Sequence, residues 1–158
     1  MQRQRGFSLV ELLVTLAILG LLAGLAVPAV DLFSRRQREA DLRRALREIR
    51  TAIDSYKKAA DEGRITVKAD QTGYPPNLDV LYQGTVDAKD PARRSKIYFL
   101  RRLPRDPFFP DSSVPASQTW GLRSYQSEYE RPMRGADVYD VYSLSPGTGL
   151  NGVRYREW

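Results

Sequence analysis

The first thirty positions of the chain contain a short basic leader followed by a long apolar run. After the leader at residues 1–6, apolar side chains dominate from Phe7 to Val27, and Glu11 is the only charged residue among them. A helix of about 20 apolar residues is long enough to cross the hydrocarbon core of a bilayer. The pattern therefore predicts a transmembrane helix over residues 7–29.

Beyond this run, apolar side chains recur every three or four residues, which is the spacing of one face of an α-helix. The apolar positions are Phe33, Leu42, Ala45, Leu46, Ile49, Ala52, Ile53, Tyr56 and Ala60, and the basic residues opposite them are Arg43, Arg44, Arg47, Arg50, Lys57 and Lys58. The spacing predicts an amphipathic helix over residues 30–62, with Glu39 and Arg43 at the four-residue spacing of a helical ion pair. Pro28 is expected to kink the long helix rather than end it. Gly63 follows at a position where the helix can stop.

The rest of the chain lacks long periodic segments. Residues 63–97 are predicted to form a connecting loop region, in which a turn cluster precedes a short helix over residues 77–82. Polar and apolar side chains alternate within residues 98–158, and this alternation predicts a β-sheet region. Its strands are predicted at Gly121–Tyr129, Val138–Leu144 and Val153–Trp158.

Glu11 is the least expected residue of the apolar run, because an unpaired carboxylate at membrane depth is energetically costly. No basic residue inside the run can neutralise it. Cleavage between Gly6 and Phe7 would create an α-amino group four residues before Glu11, about one helical turn away. That amine can pair with Glu11 within one subunit or in a neighbouring one.

Two simpler explanations exist for the N-terminal segment. A conventional secretory signal would be cleaved after the apolar region, where Ala23–Ala26 is a weak candidate site. An uncleaved signal anchor would fit the length and the flanking arginines. Neither explanation accounts for Glu11 or for the Gly6–Phe7 pair, so cleavage after Gly6 is the preferred interpretation.

Composition limits the chemistry that the chain can perform. Among its 158 residues there is no cysteine and no histidine, and 25 Lys and Arg against 19 Asp and Glu give a net charge of +6. Disulfides, Ser-His and Cys-His nucleophilic pairs and histidine-ligated metals are therefore excluded. A positive net charge would suit binding to nucleic acid, but the charges alternate in sign along the amphipathic helix. A solvated helix face and salt bridges between subunits are favoured, and no nucleic-acid partner is expected.

The segment Gly6-Phe7-Ser8-Leu9-Val10-Glu11 resembles the class III signal of type IV prepilins and of the pseudopilins of type II secretion. The resemblance implies that a prepilin peptidase cuts between Gly6 and Phe7 and methylates the Phe7 amine. It also implies that the apolar helices bundle in a filament. Each Glu11 would then neutralise the Phe7 amine of an adjacent subunit.

Two later segments resemble the major, G-type pseudopilins of type II secretion. Tyr98–Phe108 is similar to a proline-containing block of that family, and Asp140–Leu144 is similar to the strand before its calcium-binding loop. The implied fold is α+β and type IV pilin-like, with a long N-terminal helix packed on a small antiparallel β-sheet. The implied protein is a structural subunit of the secretion pseudopilus and not an enzyme. It would cross the inner membrane once, with its C-terminal domain in the periplasm.

The resemblance also implies partners, namely other copies in a homo-oligomeric filament, minor pseudopilins, an inner-membrane secretion platform and the prepilin peptidase. Two alternatives stay open. A type IV pilin or minor pilin for adhesion or DNA uptake shares the N-terminal signal, although that branch often has a C-terminal disulfide loop. A membrane-anchored periplasmic enzyme would have to work without histidine or cysteine.

Calcium is the one cofactor that the resemblance suggests. Calcium takes six to eight oxygen ligands, preferably including carboxylates, but residues 145–152 contain no acid. The residues that would form a weak site are Asp137, Leu144, Ser145, Thr148 and Asn151. In the alternative arrangement without an ion, Tyr155 and Trp158 pack back on the sheet and hold the loop.

Overall fold

The computed structural model describes residues 8–158, apart from the side chains of residue 23 and residues 25–29. The predicted leader and Phe7 lie outside the described residues. One α-helix, α1, spans Leu9–Asp61 and includes both predicted helical segments. The long N-terminal helix expected from the sequence pattern is therefore confirmed.

The chain divides into two units, Met1–Gln37 and Arg38–Trp158. In the first unit, α1 begins after Ser8, whose Oγ accepts a hydrogen bond of 3.3 Å from the Val10 N–H in the manner of an N-cap serine. In the described part of the chain, no helix is identified as long and apolar enough to cross a membrane. The transmembrane helix over residues 7–29 stays a prediction.

Two residues were expected to affect α1, Pro28 by kinking it and Gly63 by allowing it to stop. The helix continues through position 28, so Pro28 does not end it. Gly63 adopts φ of 70° just past the helix end, a left-handed conformation that costs glycine little. The next amide, Arg64 N–H, donates to the Ala59 carbonyl over 2.8 Å. This bond closes the last turn, as predicted for a glycine-terminated helix.

In the second unit, α1 supplies one face of the hydrophobic core. Its buried residues are Leu42, Ala45, Leu46, Ile49, Ala52, Ile53, Tyr56 and Ala59. The residues that cover them are Ile65, Leu78, Leu81, Leu100, Leu103, Trp120, Val138, Val141 and Tyr155. The predicted apolar stripe is thus confirmed over this unit. Phe33, which was expected in the stripe, lies in the first unit and is 71% exposed.

The connecting region contains more regular structure than predicted. A short helix, α2, spans Asp79–Gln83, and the Val80 N–H just inside it donates to Asn77 Oδ1 over 3.1 Å. Two short strands follow, β1 (Thr85–Val86) and β2 (Lys96–Ile97), which pair antiparallel. The short helix expected here is confirmed, with bounds shifted toward the C-terminus, whereas the β1–β2 pair was not expected.

The charged tract between β1 and β2 is an ordered loop. The Asp90 carboxylate accepts hydrogen bonds from the backbone amides of Ala92 (3.0 Å), Arg94 (3.0 Å) and Ser95 (2.8 Å). These bonds, those from Ser95 foremost, lower the pKa of Asp90 to about 2 because they stabilise its charged form. The loop is therefore closed by its own backbone.

A second antiparallel pair lies against the core. Strand β3 spans Trp120–Arg123 and strand β4 spans Asp140–Ser143, with Trp120 opposite Ser143. The β4 prediction is confirmed with shorter bounds. The prediction of a strand as far as Tyr129 is wrong beyond Arg123.

Two hydrogen bonds explain why β3 ends early, because they turn the chain away from the sheet. The Tyr125 N–H donates to Asp137 Oδ1 over 2.9 Å, and the Ser127 N–H donates to the Ser124 carbonyl over 3.1 Å. The third predicted strand, Val153–Trp158, is also wrong, because its residues form a 3₁₀ helix over Tyr155–Glu157.

Replacing Gly63 with alanine is expected to lower the free energy of unfolding by about 1 kcal/mol, because a side chain disfavours positive φ. A Cβ at this position meets nothing within 4 Å, so the loss is purely conformational. Thermal or chemical unfolding of the full chain in a nonionic detergent measures it. Gly63→Asn is the matched control and should lose less, because asparagine tolerates this conformation. Equal stability of wild type and Gly63→Ala would contradict the account.

Candidate assembly segment and C-terminal loop

Glu11 lies in the first turn of α1, and its side chain is exposed. An acidic residue in a first turn interacts favourably with the partial positive charge of a helix N-terminus. Gly6 and Phe7, between which cleavage is predicted, lie outside the described residues. The cleavage, the methylation of Phe7 and the pairing of its amine with Glu11 therefore stay predictions.

The apolar side chains around Glu11 are exposed over most of their area. Leu9 is 75% exposed, and the other exposed apolar residues of this segment are Val10, Leu12, Leu13, Val14, Leu16, Ile18, Leu19, Leu21 and Leu22. Soluble proteins rarely present so large a contiguous apolar surface unless another molecule covers it. We call residues 9–22, which include Glu11, the assembly segment.

The block Tyr98–Phe108 is built into the core of the second unit. Leu100 and Leu103 are buried, and the Trp120 indole Nε1–H donates to the Pro104 carbonyl over 2.9 Å. Because Trp120 begins β3, this bond ties the block to the sheet. The resemblance in this block therefore reflects a structural role.

Asp106 is the buried acid of this block, with 2% of its surface exposed. Its Oδ1 accepts the Phe108 N–H over 2.8 Å, and its Oδ2 accepts the Ser143 hydroxyl over 2.5 Å. Burial raises the pKa of the Asp106 carboxyl, although the hydrogen bonds from Ser143, Phe108 and Leu144 favour the charged form and oppose the change. Asp106 thereby ties the block to the end of β4.

Asp106→Asn is expected to gain stability relative to wild type as the pH rises from about 4 to neutral. The folded wild type holds its proton to higher pH than the unfolded chain does. Its unfolding free energy therefore falls as Asp106 ionises, and asparagine has no such titration. Unfolding of the full chain in nonionic detergent at several pH values, followed by the fluorescence of buried Trp120, measures the difference.

Asp106→Ala is the companion variant, because alanine accepts neither hydrogen bond. It should lose about 1–3 kcal/mol near pH 4, since the Phe108 amide and the Ser143 hydroxyl lose their partner. This loss should become smaller toward neutral pH, because alanine, like asparagine, has no titration there. A constant difference between wild type and Asp106→Asn across this pH range would refute the raised pKa.

Arg50 connects α1 to the C-terminal part of the chain. Its Nε donates to Asp140 Oδ1 over 2.8 Å, and its Nη2 donates to the carbonyl oxygens of Val141 (3.1 Å) and Trp158 (2.7 Å). Arg43, a second residue of the basic face, stacks on the Trp158 ring, with its guanidinium carbon 4.2 Å from the ring centroid. The basic face of α1 is therefore only partly solvated, which corrects the sequence interpretation.

The C-terminal loop, residues 144–153, is closed by short hydrogen bonds. The Gly149 N–H donates to the Val153 carbonyl over 2.8 Å, and the Tyr155 N–H donates to the Gly147 carbonyl over 3.1 Å. The Val153 N–H donates to Asn151 Oδ1 over 3.1 Å. Several oxygens of the loop thus already accept protein N–H groups.

The calcium site of Asp137, Leu144, Ser145, Thr148 and Asn151 stays a prediction. Asp137 is the only carboxylate among them, and it accepts the Tyr125 N–H at Oδ1 and the Thr72 hydroxyl (2.5 Å) at Oδ2. Within residues 8–158, no three acidic, histidine or cysteine side chains are grouped so as to hold a metal ion. The hydrogen bonds of Asp137 fix the loop after β3, so its oxygens do not fit a calcium site at residues 144–151.

Glu39 is the functional residue that the sequence interpretation missed. Its spacing suggested an ion pair with Arg43, but Glu39 is 5% exposed and its Oε1 accepts the Leu150 N–H (2.9 Å) and the Tyr155 hydroxyl (3.0 Å). Leu150 is 111 residues away along the chain. No local pattern predicts such a contact.

An open groove lies beside α1 in the second unit. Phe99, Leu100 and Ala52 line it together with the arginines at positions 44, 47, 101 and 102 and the polar residues Glu48, Thr51 and Ser55. We call it the arginine groove. Its apolar and basic lining suits acidic side chains that carry some apolar surface.

The N-terminal residues match a family model described as the prokaryotic N-terminal methylation motif over residues 1–27. The chain is 34% identical over 155 residues to the type II secretion system core protein G of Klebsiella pneumoniae, with 92% of this chain and 87% of that protein covered. It is 32% identical over 153 residues to the protein of the same name from Dickeya chrysanthemi, with 92% and 79% covered.

A pilin is also similar. The chain is 33% identical over 86 residues to the type IV major pilin protein PilA of Myxococcus xanthus, with 54% of this chain and 38% of the pilin covered. No solved structure is significantly similar to the chain. The similarities to the two secretion proteins extend over nearly the whole chain, whereas the similarity to the pilin covers about half of it.

Proposed function

This chain belongs to the type II secretion system core protein G family, and we propose that it is a structural subunit of a secretion pseudopilus. The observation that carries the proposal is the 34% identity to a core protein G over 92% of the chain. The long N-terminal helix, the small antiparallel sheets and the similarity to a pilin confirm the type IV pilin-like α+β fold.

Assembly would use the exposed apolar side chains of the assembly segment. When such helices bundle, they remove this surface from lipid or water, but apolar contacts alone do not select one stagger between neighbours. A Glu11 carboxylate would be left unpaired at most staggers and would be neutralised where it meets the Phe7 amine of an adjacent subunit. The cost of an unpaired buried charge would thereby fix the register of the filament.

The second unit would coat the filament and make its lateral contacts. The arginine groove presents four basic side chains beside an apolar floor, and acidic side chains of a neighbouring copy or of a minor pseudopilin are suitable partners. A prepilin peptidase and an inner-membrane secretion platform complete the proposed set of partners. The subunit would be held in the inner membrane by one helix, with residues 38–158 in the periplasm.

We propose that this chain is a structural protein without a catalytic role. A pilin for adhesion or DNA uptake is the second candidate, favoured only by the partial similarity to PilA. Deleting the gene in its host separates the two. Loss of exported proteins from the culture medium supports the secretion function, whereas loss of surface attachment or DNA uptake with normal secretion supports the pilin.

Processing is expected to produce a chain that begins at N-methylated Phe7. The test is mass spectrometry of the N-terminus of protein recovered from membranes of cells that contain a prepilin peptidase. Cells without the peptidase are the control, in which Met1 should be retained. A start at Met1 in the presence of the peptidase, or a start beyond Ala26, would contradict the proposed processing.

Replacing Glu11 with alanine or lysine is expected to leave membrane insertion and cleavage intact but to abolish filament assembly, because the Phe7 amine loses its acidic partner. Electron microscopy of sheared filaments and subunit cross-linking measure assembly. Glu62→Ala is the matched control, since it removes an exposed carboxylate just after the end of α1, outside the assembly segment. Normal filaments from both Glu11 variants would remove the register argument.

A further inference from the structure

Glu39 brings a carboxylate to the C-terminal loop from the other end of the chain. It lies on α1 within the second unit, is almost fully buried, and accepts two hydrogen bonds at the same oxygen, Oε1. One donor is the Leu150 N–H inside the loop and the other is the Tyr155 hydroxyl just after it. Hydrogen bonds to an ionised acceptor are stronger than those between neutral groups.

The arrangement of groups around Glu39 Oε1 is opposite to the arrangement around a bound cation. A bound calcium ion needs lone pairs of several oxygens turned toward one point. Around Glu39 Oε1, an amide and a hydroxyl instead turn their hydrogens toward one oxygen. Those hydrogens occupy the positions around Oε1 from which it would bind an ion.

Three further oxygens of the loop also accept hydrogen bonds from the protein. The Gly147 and Val153 carbonyls accept backbone N–H groups, and so does Asn151 Oδ1. Asp137, the only acid of the predicted ligand set, is bonded to Thr72 and Tyr125. The predicted ligand set therefore does not fit calcium. The hydrogen bonds instead fit closure of the loop by the Glu39 carboxylate.

Packing holds the two donors in place. The Tyr155 ring stacks on Phe108 with centroids 4.3 Å apart and meets Trp158 edge-on at 5.0 Å. A Cβ at Gly149 would lie 2.3 Å from the Trp158 ring, so the loop fits closely against these aromatic side chains. Tyr155 and Trp158 thus make the contacts that were predicted for a loop held without an ion.

We propose that the Glu39 carboxylate closes the C-terminal loop in the role that a calcium ion would otherwise fill, so that the order of this loop is independent of calcium. The proposal concerns the folded chain itself and does not depend on which filament the subunit builds. It predicts two separable properties, indifference of the loop to calcium and dependence on Glu39.

The first test uses the full wild-type chain in nonionic detergent. Its thermal midpoint is measured with millimolar calcium chloride and with excess EGTA. The two midpoints should agree, because a ligand that does not bind the native state does not stabilise it. A midpoint several degrees higher in calcium, reversed by EGTA, would overturn the proposal, since saturating an ion site stabilises a domain of this size by that much.

The second test measures amide hydrogen exchange of residues 145–155 by mass spectrometry. In Glu39→Ala these amides should exchange about tenfold faster or more, because hydrogen bonds to a charged group are lost. Glu39→Gln keeps an acceptor oxygen and should show a smaller change. Glu48→Ala removes an exposed carboxylate from the same helix and should match wild type.

Exchange in the core segment of α1, residues 46–56, reports whether a variant is folded. If Glu39→Ala does not fold, Tyr155→Phe tests the same bond, because it removes one donor and keeps the aromatic packing. Faster loop exchange with unchanged core exchange in Tyr155→Phe supports the proposal. Wild-type loop exchange in a folded Glu39→Ala, or in Tyr155→Phe, would overturn it.

Discussion

The second unit depends on one apolar face of α1, because its sheets are too small to form a core by themselves. The β1–β2 pair joins two residues on each strand and the β3–β4 pair joins four. Two-stranded ladders of this size are marginal in water unless they pack on something else. Trp120 and Val141 pack into the same core as the fully buried Ile49 and Ile53 of the helix. The helix in turn gains most of its stability from this packing, so helix and sheets stabilise one another.

Polar side chains of α1 decide how the C-terminal residues lie on that face. Apolar packing is nondirectional and tolerates sliding, whereas Arg50 donates to three separate acceptors on Asp140, Val141 and Trp158. Glu39 adds two acceptor contacts nearer the start of the unit. In the described part of the chain, every buried side-chain nitrogen and oxygen has a hydrogen-bond partner. A displaced C-terminal segment would leave several of these groups unpaired, which is costly in a buried setting.

What could be predicted from the sequence depends on the range of the interaction. The apolar stripe of α1 and the stop at Gly63 follow from spacing within a few residues, and the structure confirms both. Glu39 and Arg50 were misjudged because local spacing paired Glu39 with Arg43 and placed Arg50 on a solvated face. Their partners lie about a hundred residues away.

The predicted strand beyond Arg123 failed for a related reason. Alternating side chains resemble a strand there, but a distant carboxylate, Asp137, captures the Tyr125 amide and turns the chain. Glu11 could be identified from the sequence alone, because it is the only charged residue in a long apolar run.

The two units differ in what covers their apolar side chains. This difference assigns folding to the second unit and association with other molecules to the assembly segment. The second unit buries its apolar residues and pairs its buried polar groups internally. The assembly segment exposes most of its apolar surface, and so other molecules must cover it. Apolar surface supplies the driving force for that association but little choice of register. One carboxylate among many apolar side chains supplies the choice, because only arrangements that give Glu11 a cationic partner avoid an unpaired buried charge.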